Sequence, residues 1–259
     1  MLIAGFPAGS FAANCYVLAD GPGEPCLIVD PGQDAEPGLY ELLRKYRLEP
    51  AAVLLTHGHI DHIWSVAPVC GAAGIPAYIH PADRVLLSDP GRGLWPQAGG
   101  DTPPLLRGLT FTEPHEVAEL TDGATLRLAG LTVVVDHAPG HTPGSVTFRL
   151  PGPAAGDGTP GSGDGTPGSD GGAPDSEDPA PDGVIFTGDL LFAGSIGRTD
   201  LPGGDYETIL GSLARVCLPL PDGTVVLSGH GPQTTIGAER ASNQYLAGLA
   251  AQPGPARGL

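Results

Sequence analysis

Residues Val53–His62 read VLLTHGHIDH. Three of the chain's eight histidines and one aspartate fall within six residues, directly after apolar and β-branched side chains. The run Ala51–Thr56 is continuous enough to be a strand buried on both faces. In extended backbone, residues i and i+2 point the same way. His57 and His59 can therefore reach one metal ion from one side. A turn at Asp61-His62 aims that pair elsewhere, toward a second ion. Gly58 lets the backbone bend tightly between them. The spacing differs from HExxH, in which two histidines share a helix face. A histidine-rich polar turn without chemistry is the bland alternative.

Later stretches repeat the theme. HAPGHTPGS sets His141 just before a strand expected at Ser145–Leu150. VIFTGDLLF sets Asp189 just after a strand at Val184–Thr187, and VVLSGHGP sets His230 just after one at Thr224–Leu227. Each ligand-type residue lies beside a glycine at a strand end. Any one of them alone is more often structural. Together they make five histidines and two aspartates, the complement expected of two metal ions sharing a carboxylate.

The remaining elements interleave strands and helices. Strands are expected at Cys15–Ala19, Cys26–Asp30 and Ala77–His80, with a hairpin of Ala124–Leu128 and Leu131–Asp136 about Ala129-Gly130. Helices are expected at Gln33–Tyr46, Ile63–Ala73, Pro81–Leu87, Asp205–Val216 and Ala238–Leu249, with Tyr206 packed at the start of its helix. Residues 89–115 are expected to be irregular. This pattern points to an α/β layer architecture with helices outside.

The order HxHxDH, GHTPGS, TGD, GHGP resembles the metallo-β-lactamase superfamily, from about Asn14 to Asn243 apart from 151–183 and the 89–115 excursion. The resemblance implies an α/β fold, an αββα four-layer sandwich with metal ions at one edge. It implies that His57, His59 and His141 hold one ion, Asp61, His62 and His230 the other, and that Asp189 bridges them. Two divalent ions are implied, zinc first, with iron or manganese also compatible with nitrogen and oxygen ligands. The implied reaction is hydrolysis by a metal-bridging hydroxide, with Asp61 holding the nucleophile's proton.

Within that superfamily, NCYVL, LLFAGSIGRTDLPGGDYETILGSL and GPQTTIGAERASNQYL resemble the glyoxalase II-like branch. This implies a thioesterase cleaving an S-acyl (hydroxyacyl) conjugate of a small thiol. Full glyoxalase II enzymes carry a further helical domain with basic residues for glutathione. Here only Arg240 and Arg257 are cationic after His230, so the chain resembles the short single-domain branch and the carrier thiol stays open. The alternative is a mononuclear iron persulfide dioxygenase of the same fold, with iron on His57, His141 and Asp189. Those enzymes follow GRTD with Phe and Gln, where this chain has Leu201-Pro202-Gly203-Gly204. A metal-binding scaffold without catalysis is a third reading, disfavoured because no ligand is missing. Arg198 either grips a substrate carboxylate or, as the plainer reading has it, pairs with Asp200 and braces its loop. His80, His115 and His137 are expected to be ordinary packing or loop residues.

The formal net charge of −17 argues against nucleic acid or an anionic membrane as a partner. A small-molecule substrate is the expected partner. Residues 151–183 hold 17 Gly or Pro, seven acids, no base, and GDGTPGS twice in tandem. Such a segment buries too little apolar surface to fold, so it is expected to be a disordered acidic insertion in a single domain spanning 1–259. The four cysteines form no CxxC pair and are read as reduced thiols. With no basic, apolar leader at the N-terminus and no long apolar run, the expected location is cytoplasmic.

Overall fold

A computed structural model describes residues 1–94, 106–152 and 182–250. Most of the expected insertion at 151–183 and the middle of the 89–115 excursion lie outside the described residues. The first half runs β1 (Leu2–Ala8), β2 (Ala13–Ala19), β3 (Pro25–Val29), α1 (Glu36–Tyr46), β4 (Glu49–Leu54), α2 (Ile60–Ile63), α3 (Val66–Ala73), β5 (Ala77–Ile79) and β6 (Val117–Glu119). The second runs β7 (Thr125–Leu128), β8 (Leu131–His137), β9 (Val146–Pro151), β10 (Gly183–Gly188), β11 (Leu191–Phe192), β12 (Ser195–Ile196), α4 (Tyr206–Val216), β13 (Val225–Ser228), β14 (Thr234–Thr235), α5 (Ile236–Ser242) and α6 (Gln244–Ala250).

Two six-stranded sheets result, ordered β1-β2-β3-β4-β5-β6 and β14-β13-β10-β9-β8-β7. In the first, β1 to β3 pair antiparallel and β3 to β6 parallel. In the second, β7 to β10 pair antiparallel, while β10 and β13 run parallel. Alternation of side chains decides the layering. Val53 of β4 belongs to the core beneath α1 and α3, whereas its neighbour Leu54 faces the other sheet. Leu54, Leu27 and Val29 meet Phe148, Val135 and Phe186 between the sheets. Ile185 and Val226 point outward onto Ile209 and Leu213 of α4. The four layers are therefore helices, sheet, sheet, helices. Full burial of each large side chain contributes roughly 1.5–3 kcal/mol.

Local chemistry sets several boundaries. α3 stops where Gly74 takes a left-handed backbone, φ 67°. α4 starts on Asp205, whose carboxylate accepts a bond from Thr208 N–H.

Some expectations need correction. The Ile63–Ala73 helix is really α2 and α3, separated at Trp64-Ser65. The Pro81–Leu87 helix shrinks to a 3-10 turn at Arg84–Leu87. The last helix breaks at Asn243, which is extended and fully buried. Its amide donates to Ser195 O and Glu239 Oε2, and its carbonyl accepts from Tyr245 N–H. These bonds offset the broken turn. Tyr206, expected to pack, is 48% exposed. β1 and β6 were not foreseen. All four cysteines are buried and unpaired. Among the described residues, no helix is long and apolar enough to cross a membrane.

Candidate metal centre

The seven ligand-type residues foreseen in the sequence meet at one edge of the sandwich. β4 leads into His57 and His59, the expected turn at Asp61-His62 is the short helix α2, β10 ends into Asp189 and β13 ends into His230. His141 stands in the loop between β8 and β9. His57, His59 and His141 form one cluster and Asp61, His62 and His230 another; within each, the ligand atoms lie within 4.8 Å of one another. His59 Nδ1 and His141 Nε2 are 2.8 Å apart. His230 Nε2 is 3.2 Å from Asp61 Oδ2 and 3.3 Å from His62 Nε2. Asp189 sits between the clusters, its Oδ2 3.5 Å from His141 Nε2 and its Oδ1 3.5 Å from His62 Nε2.

Hydrogen bonds on the far side of the His57, His62 and His141 rings assign their tautomers. His141 Nδ1 donates to the backbone carbonyl of Arg198, 2.8 Å away, so its Nε2 lone pair faces the cluster. Thr56 Oγ1 donates to Asp30 Oδ2 at 2.5 Å and accepts from His57 Nδ1 at 3.1 Å. This leaves His57 Nε2 buried and without a partner, as is Asp189 Oδ1. Lone pairs aimed at one another in a buried space would be costly unless they bind a cation. The donor set of imidazoles and carboxylates fits a divalent metal, and its outer partners fit the pattern that orients such ligands.

A third group, Asp30 with His57 and His62, also has its atoms close together. Asp30 is better read as an orienting group. Its oxygens already accept from Thr56 N–H, Thr56 Oγ1–H and His62 Nδ1–H.

Charge is arranged to match. Burial, then the neighbouring His141, pushes His59 down to about 3. Burial, then His62, pushes His57 well down. Both stay neutral, the form that ligates. Burial also opposes charge on His62, but Asp61, Asp189 and Asp30 outweigh it and lift the ring to about 10. Burial alone would raise Asp61, yet His62 and His230 hold its carboxyl well below the usual range. The carboxylates thus demand a positive charge, which the His62 imidazolium carries in the metal-free chain and which a cation supplies equally well.

The last ligand loop is clamped by β2. Asn14 N–H donates to Gly229 O at 2.7 Å, and its amide donates to Ser228 O and Gly231 O, each at 3.0 Å. Tyr16 Oη donates to Ser228 O at 2.8 Å. Gly229 lies so near Asp189 and His62 that a Cβ there would clash with both.

The other foreseen residues fall outside the clusters. Arg198 forms a two-pronged pair with Asp200 at 2.7 Å, with its side chain in solvent, which is the bracing arrangement. His80 and His137 stack in parallel 4.1 Å apart, and His115 is exposed. Asp30 and Asp83 were not singled out from the sequence. Asp30 had one available signal, a carboxylate closing a strand before Pro31-Gly32. Asp83 had none.

These features define a metallo-β-lactamase fold, and the Metallo-beta-lactamase superfamily model matches residues 8–153 and 157–230. The chain belongs to that superfamily, whose hydrolases are metal-dependent. It is 32% identical over 247 residues to hydroxyacylglutathione hydrolase GloC of Haemophilus influenzae, covering 93% of this chain and 95% of the relative. Its structure is similar to that of the BLEG-1 B3 metallo-β-lactamase, with a TM-score of 0.71 and 36% identity over 95% of this chain and 99% of the other. It is also similar to TTHA1623 in a di-iron-bound form, with a TM-score of 0.65 and 35% identity over 92% and 97%.

Proposed function

We propose that this protein is a dinuclear metal hydrolase that cleaves a thioester, the S-acyl conjugate of a small thiol. The observation that carries the reading is the pair of three-donor clusters with one carboxylate between them. In this reading His57, His59 and His141 hold one ion, Asp61, His62 and His230 the other, and Asp189 reaches both. Zinc is the proposed metal; the di-iron form of TTHA1623 makes iron the first competitor. Bound divalent ions polarise an acyl carbonyl and lower the pKa of water to near neutrality.

The chain's own side chains do the rest. Asp30, through Thr56 and directly, orients His57 and His62, and the Arg198 carbonyl orients His141. Asp61 is kept ionised, and in this reading its carboxylate holds the nucleophile's proton in a hydrogen bond. Burial of four of the five histidines keeps bulk water from the ligand atoms. The thioester assignment draws on the likeness to GloC. The acidity of the chain favours a small substrate over a polyanion, and four unpaired cysteines favour a reducing compartment such as the cytoplasm.

The single-iron persulfide reading would place its one ion on His57, His141 and Asp189 alone. Elemental analysis of protein purified without added metal separates the two. Close to two metal atoms per chain, followed by turnover of S-acyl thiols in preference to β-lactams, is the expected outcome. One iron per chain with oxygen consumed on a persulfide, and no thioester turnover, would overturn it.

A further inference from the structure

The first cluster takes its ligands from two different sheets: His57 and His59 follow β4, whereas His141 precedes β9. Something must hold those loops in register. Asp83, fully buried, stands between them. Its Oδ2 accepts from Gly58 N–H at 2.9 Å and from Thr142 Oγ1–H at 2.6 Å, and its Oδ1 accepts from Gly144 N–H at 2.8 Å. Gly58 is the residue between His57 and His59, and Thr142 follows His141. The approach is close enough to require glycine: a Cβ on Gly144 would lie 2.5 Å from Asp83 Cγ. None of the three donors belongs to the second cluster.

We propose that Asp83 is a positioning residue for one metal of the two: it pins the His57–His59 loop to the His141 loop and so sets the affinity of the first cluster alone. This rests on the dinuclear reading above. The chemistry requires a carboxylate. An asparagine amide would turn a donor toward either Gly144 N–H or the Gly58 and Thr142 donors, forcing the loops apart. Partners bonded to a ligand side chain typically change metal affinity 10–100-fold; Asp83 acts one residue further out, beside His57, His59 and His141, so the low end of that range is expected, and the asymmetry makes the change selective.

The test is a zinc titration of the metal-free chain against a chromophoric chelator, with thermal unfolding measured alongside. The wild type is expected to bind two zinc ions. Asp83→Asn is expected to weaken one binding step by about tenfold or more and to leave the other within about threefold. Glu239→Gln is the control. It alters a buried carboxylate that serves Gly194, Thr234 and Asn243, outside the ligand loops. It is expected to lower the melting temperature with both zinc steps unchanged. Unchanged affinities in Asp83→Asn, or both steps falling together, overturn the proposal. If Asp83→Asn does not fold, Thr142→Val removes a single donor and must show the same selective loss, smaller in size; no loss overturns the proposal. A wild type that binds one zinc refutes the dinuclear reading only. Asp83 is then judged by whether its replacement weakens that one ion tenfold.

Discussion

Replacing Asp30 with asparagine tests whether the ligand loops depend on a buried charge. Asp30 is 1% exposed and accepts three hydrogen bonds, from Thr56 N–H at 2.8 Å, Thr56 Oγ1–H at 2.5 Å and His62 Nδ1–H at 3.0 Å. An amide has one oxygen for these two sides. Placed toward Thr56 Oγ1 and His62, it turns its NH2 on Thr56 N–H; flipped, it loses both side-chain donors. Either way at least one buried donor is left unsatisfied, at about 1–3 kcal/mol, and the surviving bonds lose their charge assistance. The total is about 3 kcal/mol. For a chain of this size about 3 kcal/mol lowers the melting temperature by roughly 6–12 °C. Thermal unfolding of the metal-free variant at pH 7 reads it. A folded Asp30→Asn protein whose melting temperature moves by less than about 2 °C would refute the reasoning.

Four further outcomes are expected. Gly229→Ala should cost at least one metal atom per chain, because the new methyl meets Asp189 and His62; elemental analysis showing full occupancy contradicts the placement of Asp189. Phe148→Ala, fully buried between the sheets, should lose about 3–5 kcal/mol in denaturant unfolding, and a loss under about 1 kcal/mol would not fit the packing. Arg198→Ala should change stability by no more than about 0.5 kcal/mol and leave KM for thioesters unchanged, since only its backbone carbonyl reaches His141; a tenfold rise in KM would mean that the side chain grips substrate. Gly152 N–H already bonds Asp182 O at 3.3 Å. Replacing residues 153–181 with an Asn-Gly turn should therefore leave melting temperature and turnover as they are, and a large loss of turnover in the folded protein would give that segment a function.

Most of the layering was legible because it depends on short-range pattern. The apolar run into Thr56 and the alternation in Leu131–His137 read directly as buried strands. β1 escaped because Gly5 and Pro7 interrupt it; it is an edge strand, where such residues are tolerated, and Gly5 makes room for the Tyr16 ring. β6 is three residues long and has no period to read. The break at Asn243 depends on Ser195 and Glu239, and the former is remote in sequence. The histidines declared themselves by spacing beside glycines at strand ends, and all seven ligand-type residues do converge. Asp30 and Asp83 did not. Their partners lie 25 to 61 residues away, and an aspartate in a chain with many acids carries no local mark of what it will hold.

The clamp of Asn14 and Tyr16 on the loop carrying His230 joins residues more than 200 positions apart. On a ribosome this contact cannot form until residue 228 has emerged. The first sheet can pair as it emerges, but the edge at Ala13 has no His230 to bridge until that residue is made. Contacts of such long range close slowly. The second cluster is therefore completed later than the first. A nascent chain stalled before Gly229 can gather His57, His59 and His141, but not the ligand that completes the pair.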